Sequence, residues 1–114
     1  MIAVIFEVIP VEGEMDSYLD HAAMLKPILE SQPGFISVER FRSLSDPDKL
    51  LSLSFFENEA AVANWRTQSS HRNTQTAGRN GIFIDYRLRV AEIQRDYGLH
   101  DRGEAPRDSR AAHS

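Results

Sequence analysis

The chain has 114 residues, of which 41% are hydrophobic and 26% are charged, a composition typical of one globular domain. Its 13 Lys and Arg against 17 Asp and Glu give a net charge of −4, which argues against a uniformly basic nucleic-acid binder. It contains no cysteine, which excludes disulfides, thiolate nucleophiles and cysteine-ligated metal centres.

The first half of the chain alternates between strand and helix patterns. Residues 2–9 form a β-rich run. Residues 14–31 carry apolar side chains at spacings of three and four, which predicts an amphipathic helix. Residues 35–44 and 49–56 are two further β-rich runs, and the turn residues 45–48 between them predict a hairpin.

The second half repeats the alternation. Asn58 is a suitable cap for a helix over residues 59–67, and a short helical stretch is predicted over about 69–78. Residues 82–94 alternate between apolar and polar side chains, which predicts the last strand. The order β-α-β-β-α-β indicates an α+β, ferredoxin-like fold with an antiparallel sheet.

The chain divides into a folded part and a tail. We expect residues 1–95 to form the domain and residues 96–114 to be a mobile polar tail, because no Leu, Ile, Val, Phe or Trp occurs over residues 100–114. Strand 1 is apolar on both faces, whereas two helices cover only one face of a four-stranded sheet. A homodimer that buries sheet against sheet is therefore expected.

Charge is unevenly distributed along the chain. Residues 1–65 hold 4 basic and 11 acidic side chains, whereas residues 66–114 hold 9 basic and 6 acidic ones. The arginines of the second half either pair with the acidic helices at a solvated face or form the positive mouth of a pocket for an anionic ligand. The pattern leaves both interpretations open.

Several motifs and segments are missing from the sequence. It has no glycine-rich nucleotide loop, no serine-hydrolase elbow and no zinc-binding His-Glu-x-x-His pair, so we expect neither a cofactor nor a metal. No apolar run reaches the roughly 18 residues of a membrane span. The N-terminal run meets an acid at Glu7 and is typical of a strand rather than a signal peptide, so a cytoplasmic protein is expected.

The region around the second helix carries candidate chemistry. Trp65 is the only tryptophan, and His71 follows it by six residues. A helix break near residues 68–69 would let both side chains face one cavity, with His71 as a base and Trp65 as a flat stacking wall. Alternatively, Trp65 is a core residue and His71 caps the short helical stretch.

A second candidate set lies on the last predicted strand. Asp85 and Arg87 share one face, where Asp85 could orient an imidazole and Arg87 could hold an enolate or phenolate oxygen. Alternatively, these charges, with Arg89, form exposed ion pairs with strand 2 residues such as Glu39. His21 is interpreted as a surface residue of the first helix.

These features together resemble the antibiotic biosynthesis monooxygenase family of dimeric α+β barrels, over about residues 1–95. Besides the element order, the resemblance depends on the Trp65 and His71 pair and on three segments, which are residues 32–37, 52–57 and 83–90.

The resemblance implies a homodimer with a pocket between the sheet and the helices of each subunit. Some members oxygenate phenolic polycyclic compounds or quinols with O2 and no prosthetic group: a base removes an acidic proton, and the electron-rich anion reduces oxygen. Others degrade haem with an Asn on strand 1, a Trp on helix 2 and a following His. Here the Asn position carries Phe6 or Glu7 and the His position carries Gln75, so haem degradation is the less expected activity.

The sequence therefore predicts a cofactor-independent monooxygenase acting on an aromatic phenol- or quinol-type molecule with O2. His71 is the predicted base, Trp65 the pocket wall, Arg87 the anion partner and Asp85 the group that orients the base. The predicted lining residues are Phe6, Phe55 and Tyr86. The alternative is a non-catalytic module of the same fold that binds or senses a small molecule.

Overall fold

A computed structural model describes residues 1–68 and 81–109. Its six helices and strands follow one another in the predicted order. The order β-α-β-β-α-β is confirmed. The elements are β1 (Ile2–Pro10), α1 (Met15–Glu30), β2 (Phe35–Arg42), β3 (Leu50–Phe56), α2 (Glu59–Thr67) and β4 (Phe83–Glu92). The short helix predicted over about 69–78 lies outside the described residues.

The four strands form one antiparallel sheet in the order β2-β3-β1-β4. Strand β1 is central and pairs with β3 on one side and β4 on the other. Its residue Val4 lies opposite Ser54 and Val90, which fixes the register on both sides. Since side chains alternate between faces, this register decides which residues of three strands meet on each face.

Both helices pack on the same face of the sheet, which we call the inner face. One apolar cluster joins Leu29 of α1 and Val62 of α2 to Phe56 of β3. A second cluster joins Tyr18 of α1 to Val8 of β1. Phe56 and Val8 are almost completely buried, and burying a side chain of this kind contributes roughly 1.5–3 kcal/mol.

Helices α1 and α2 begin and end within one residue of the bounds predicted from the sequence. The Asn58 side chain accepts a hydrogen bond from the Ala61 backbone N–H at 3.0 Å, which confirms it as the N-cap of α2. Helix α1 contains Pro27 in its last turns and ends at Glu30, one residue short of the predicted end. Its buried residues are Tyr18, Ala22, Leu25 and Leu29, a stripe at helical spacing.

Gly34 allows α2 to approach the turn between α1 and β2. Its φ of 82° lies in the left-handed region, and a Cβ at this position would lie 2.6 Å from the Ala61 Cβ. Its carbonyl accepts a hydrogen bond from the Glu57 backbone N–H at 2.7 Å, just before α2 begins. A side chain at residue 34 would therefore strain the backbone and push α2 away.

Three strands are shorter than the patterns predict: β3 begins one residue late, at Leu50, and β2 and β4 are each shorter by two or more residues. Strand β2 ends at Arg42, although the Ser43 N–H still bonds the Lys49 carbonyl across the hairpin at 3.0 Å. The turn itself is formed by the Asp46 N–H, which bonds the Ser43 hydroxyl at 3.1 Å, and by the Lys49 N–H, which bonds the Asp46 carbonyl. Strand β4 ends at Glu92, opposite Ile2 at the start of β1, and one more backbone bond follows it, from the Ile93 N–H to the Met1 carbonyl at 3.0 Å.

The opposite face of the sheet, which we call the outer face, keeps apolar side chains at its centre. Ile5 pairs with Leu53, and both are partly buried. Phe41 of β2 belongs to the same face and is 43% exposed. Glu7 and Arg89 lie on this face as a charged pair.

Residues 93–109 follow the sheet and make contacts of their own. Arg102 bonds the backbone carbonyls of Gly98 and Ser109, and its guanidinium lies 5.3 Å from the centre of the Tyr97 ring. Ala105 is 6% exposed. The mobility expected for residues 96–114 stays a prediction. Within the described residues, no helix is long and apolar enough to cross a membrane.

Candidate active site

A cavity of about 370 Å³ lies between the inner face of the sheet and the two helices. Its described lining comes from all six elements and is mainly apolar. Helix α1 contributes Ala22 and Leu25, helix α2 contributes Val62, and β4 contributes Leu88 and Val90. A concave, mainly apolar cavity with a few polar groups is the usual form of a small-molecule site.

Three residues predicted from the sequence meet at this cavity, namely Phe6, Trp65 and Tyr86. The Phe6 and Tyr86 rings are tilted against each other with centroids 5.8 Å apart, and Phe83 packs edge-on to Phe6 at 6.0 Å. Trp65 reaches the cavity from α2 and also packs against the core cluster around Phe56. It is therefore both a core residue and a wall of the cavity.

Three other predicted site residues lie on the outer face. In the sheet register, Phe55 lies opposite Ala3 and Arg87 lies opposite Glu7. The residues next to them in each strand belong to the inner face, so Phe55 and Arg87 belong to the outer face. Asp85 accepts a hydrogen bond from the Tyr86 backbone N–H at 2.9 Å. None of the three lines the cavity. His71, the predicted base, lies outside the described residues.

The charges of the outer face pair with β1 rather than with β2. Glu7 lies 3.2 Å from the Lys49 ammonium and 3.5 Å from the Arg89 guanidinium. The hydrogen bond from Lys49, followed by the charges of Lys49 and Arg89, lowers the pKa of the Glu7 carboxyl. The ion pair expected between Arg89 and strand 2 is thus formed with strand 1 instead, because β1 lies between β4 and the rest of the sheet.

The structure adds three polar residues that the sequence patterns did not assign to the site. Tyr18 and His21 of α1 and Arg40 of β2 all line the cavity. His21, interpreted from the sequence as a surface residue, is partly buried and lines the cavity. It lies three residues after Tyr18 and four before Leu25, two members of the buried stripe of α1. That spacing is visible in the sequence and could have placed His21 at the site.

Arg40 and Tyr18 face each other inside the cavity wall. Burial raises the pKa of the Tyr18 hydroxyl above its ordinary value of 10.0, while the hydrogen bond and the charge of Arg40 act in the opposite direction. Tyr18 is therefore a neutral hydroxyl at physiological pH. The Arg40 Nε–H is buried and has no hydrogen-bond partner among the described residues.

The charged side chains of the described cavity lining are basic. The described lining contains the cations Arg40 and Arg66 and the imidazole of His21, but no Asp or Glu. Such a wall favours an anion or a group that develops negative charge. Among residues 1–68 and 81–109, no group of three His, Asp or Glu side chains is arranged to hold a metal ion.

Comparison with known proteins gives the family of this chain. Residues 1–77 match the family model described as antibiotic biosynthesis monooxygenase. The chain belongs to this family. The resemblance drawn from the sequence is thereby confirmed.

The chain covers different fractions of the length of two curated relatives. The chain is 44% identical over 93 residues to a protein of Pyricularia oryzae named jasmonate monooxygenase ABM, covering 82% of this chain and 43% of that protein. It is 28% identical over 93 residues to an uncharacterized protein of Bacillus subtilis, covering 82% of this chain and 79% of that protein. The chain thus spans less than half the length of the Pyricularia relative.

Solved structures of low identity share the fold. A Deinococcus radiodurans structure assigned to the antibiotic biosynthesis monooxygenases superposes with a TM-score of 0.78 at 11% identity, covering 86% of this chain and 97% of that one. A Mycobacterium tuberculosis structure gives 0.74 at 15% identity, covering 85% and 98%. At these identities the likeness concerns the fold.

Proposed function

We propose that the chain is a monooxygenase that oxidises a small, mainly apolar molecule of phenol or quinol type with O2. The observation that carries the proposal is the inner-face cavity of this family member. An imidazole, an indole and a guanidinium surround its apolar space. These are a base, a stacking wall and an anion partner, the groups that oxidation through a substrate anion requires.

The proposed reaction uses the substrate as the source of electrons. A base removes a proton from an acidic C–H or O–H group and leaves an electron-rich anion. The anion gives one electron to O2, and the resulting radical and superoxide combine into a peroxide. Cleavage of its O–O bond leaves one oxygen atom on carbon and releases the other as water, so that a CH2 group and O2 become C=O and H2O.

Two imidazoles are candidates for the base. His21 lines the cavity from α1, and His71 is the base predicted from the sequence. Trp65 would stack on the flat body of the substrate, and the cationic wall of the cavity would stabilise its anion. The apolar walls would exclude water, which strengthens the interaction between the anion and these cations.

The name of the Pyricularia relative widens the range of substrates to test. Jasmonate is a carboxylate with an apolar body and is not a phenol. We therefore include it beside the phenols and quinols that the sequence predicts.

Oxygen uptake by the purified protein tests this proposal. The panel contains anthrones, naphthoquinols and jasmonate, and the variants are His21→Ala and His71→Ala. The matched control is His100→Ala, because His100 is exposed and lies outside the cavity lining. We expect uptake above the autoxidation background in the wild type and the control, with a loss of about 10²–10⁴-fold in the variant that lacks the base.

The same experiment separates catalysis from binding. No uptake with any compound, together with a shift in melting temperature by one of them, would replace this proposal with the non-catalytic binding module. Uptake that neither histidine variant reduces would keep the reaction and remove both imidazoles from it.

We also propose that a second copy of the chain covers the outer face. The apolar centre around Ile5, Leu53 and Phe55 is only partly buried within one chain, and a self-complementary sheet face suits a two-fold dimer.

A further inference from the structure

The Arg40 guanidinium is a charge in the wall of a mainly apolar cavity whose described lining contains no carboxylate. Within residues 1–68 and 81–109, the ion pairs join Glu7 to Lys49 and to Arg89, and Arg40 takes part in neither. Its buried Nε–H makes no hydrogen bond in the same part of the chain. Because buried donors are almost always paired in native proteins, this N–H has the capacity for a further acceptor.

The surroundings of Arg40 favour an anionic acceptor. Tyr18 keeps its proton at neutral pH and, while accepting from Arg40, can donate that proton to a ligand. Ser52 lies directly opposite Arg40 in the sheet and also lines the cavity. No Asp or Glu of the described lining competes for the guanidinium.

We propose that Arg40 and the Tyr18 hydroxyl form a carboxylate-binding subsite, so that the molecule bound in this cavity is a monocarboxylate with an apolar body. The Nε–H and a neighbouring Nη–H form one edge of the guanidinium, and such an edge binds a carboxylate through two parallel hydrogen bonds. Within residues 1–68 and 81–109, the Nε–H makes no hydrogen bond that a carboxylate would have to displace.

The rest of the cavity sets the size of the apolar body. Its volume of about 370 Å³ is near the lower end of the range of roughly 300–1,000 Å³ for small-molecule sites. Leu25, Val62 and Trp65 surround this space with apolar surface. The body is thus that of a one- or two-ring compound or of a chain of similar volume.

This inference rests on the proposed function in one respect only, namely that the bound carboxylate is also the substrate. Binding itself is measured without turnover. Trp65 is the only tryptophan and lines the cavity, so its fluorescence reports occupancy. The probes are 3-cyclohexylpropanoate and its neutral amide, which share one apolar body and absorb no light that excites tryptophan.

The wild type is expected to bind the carboxylate about 10- to 100-fold more tightly than the amide, the range for a hydrogen bond to a charged group. Arg40→Gln should remove this preference and leave the affinity for the amide unchanged. Arg40→Lys should keep part of it, because a lysine keeps the charge without the fork of the guanidinium. The matched control is Arg42→Gln, on the same strand but outside the cavity lining.

Equal affinity of the wild type for the two probes would overturn the proposal. So would an Arg40→Gln variant that loses affinity for both probes equally, since Arg40 would then only shape the cavity. If Arg40→Gln does not fold, Tyr18→Phe provides the test, and a carboxylate preference as large as that of the wild type would contradict the subsite. Oxygen uptake with neutral quinols but no carboxylate preference would leave the proposed function standing and remove this inference.

Discussion

At the scale of single residues, Tyr18 connects the packing of α1 with the chemistry of the cavity. Its ring packs edge-on against Phe83 at 5.8 Å and is 7% exposed, while its hydroxyl contacts Arg40. Burial stabilises the neutral form of the phenol and thereby raises its pKa. This link gives the first prediction.

The Tyr18→Phe variant should lose less stability than the wild type when the pH rises above 10. The folded state holds the Tyr18 proton at a pH where the unfolded state has released it, so the stabilisation is complete below the unfolded pKa of 10.0 and is lost as the pH rises through the folded value. The difference in slope is at most about 1.4 kcal/mol per pH unit. Urea unfolding at a series of pH values on both sides of 10 measures it.

The control for this prediction is Tyr97→Phe, since Tyr97 is 41% exposed. The Tyr97→Phe variant should follow the wild type. If Tyr18→Phe and the wild type have the same alkaline slope, the Tyr18 hydroxyl titrates as it does in the unfolded chain.

The face of a strand residue was predictable where a charge or an alternation marks it. Tyr86 lies on the alternating strand β4, Phe6 precedes Glu7, the one charge of β1, and both residues line the cavity. Phe55 and Phe56 are adjacent and both apolar, so hydrophobicity alone could not assign a face; Phe56 is the residue at the cavity. Arg40 could not be found from the sequence, because an arginine on a strand is usually exposed and its contact with Tyr18 joins two elements.

At the scale of elements, the approach of α2 to the turn before β2 depends on Gly34. Gly34→Ala should destabilise the fold by more than Gly13→Ala. Both residues have a positive φ, which costs an alanine about 1–2 kcal/mol. Only at Gly34 would the new Cβ also meet a neighbour, the Ala61 Cβ at 2.6 Å.

Chemical denaturation of the two glycine variants measures the difference. Overpacking of this kind typically adds about 1–3 kcal/mol. Equal losses for Gly34→Ala and Gly13→Ala would show that the backbone conformation alone requires a glycine at residue 34.

The cap of α2 provides a second test at this scale. Asn58→Ala should lower the free energy of unfolding by about 1 kcal/mol, because the Ala61 N–H loses its acceptor. Asn64→Ala, in the exposed middle of α2, should cost nothing or stabilise the helix slightly. A loss at Asn58→Ala no larger than at Asn64→Ala would contradict the role of the cap in stability.

The elements were predictable because their signals are local. Helical spacing, the cap at Asn58 and turn residues all act over a few positions, so α2 was bounded correctly from the sequence. The end of β2 was missed by two residues, because the Ser43 hydroxyl bond that forms the turn depends on a side-chain conformation. Residues 69–80 lie outside the described structure, so the predicted helix there stays a prediction.

At the scale of the whole molecule, the outer face is the feature that one chain leaves incompletely covered. We expect light scattering to give a mass about twice the 12.9 kDa of the chain. Leu53→Glu places a charge at the centre of this face and should yield a folded monomer, since burying an unpaired charge in an interface is costly.

Leu44→Glu is the control for the dimer prediction, because Leu44 is fully exposed in the turn after β2. It should leave the mass unchanged. A wild type that remains monomeric at all concentrations would contradict the dimer. The proposals for the cavity would remain, because they concern the inner face.

The central claim is that the inner-face cavity inserts one atom of O2 into its substrate. The most direct measurement is mass spectrometry of the product formed under ¹⁸O2 in ordinary water, with any compound that supports oxygen uptake. The account predicts a product that carries one heavy oxygen atom from O2, in an amount that falls in the His21→Ala or His71→Ala variant. A product whose new oxygen comes from water, at the same rate, would contradict a monooxygenase.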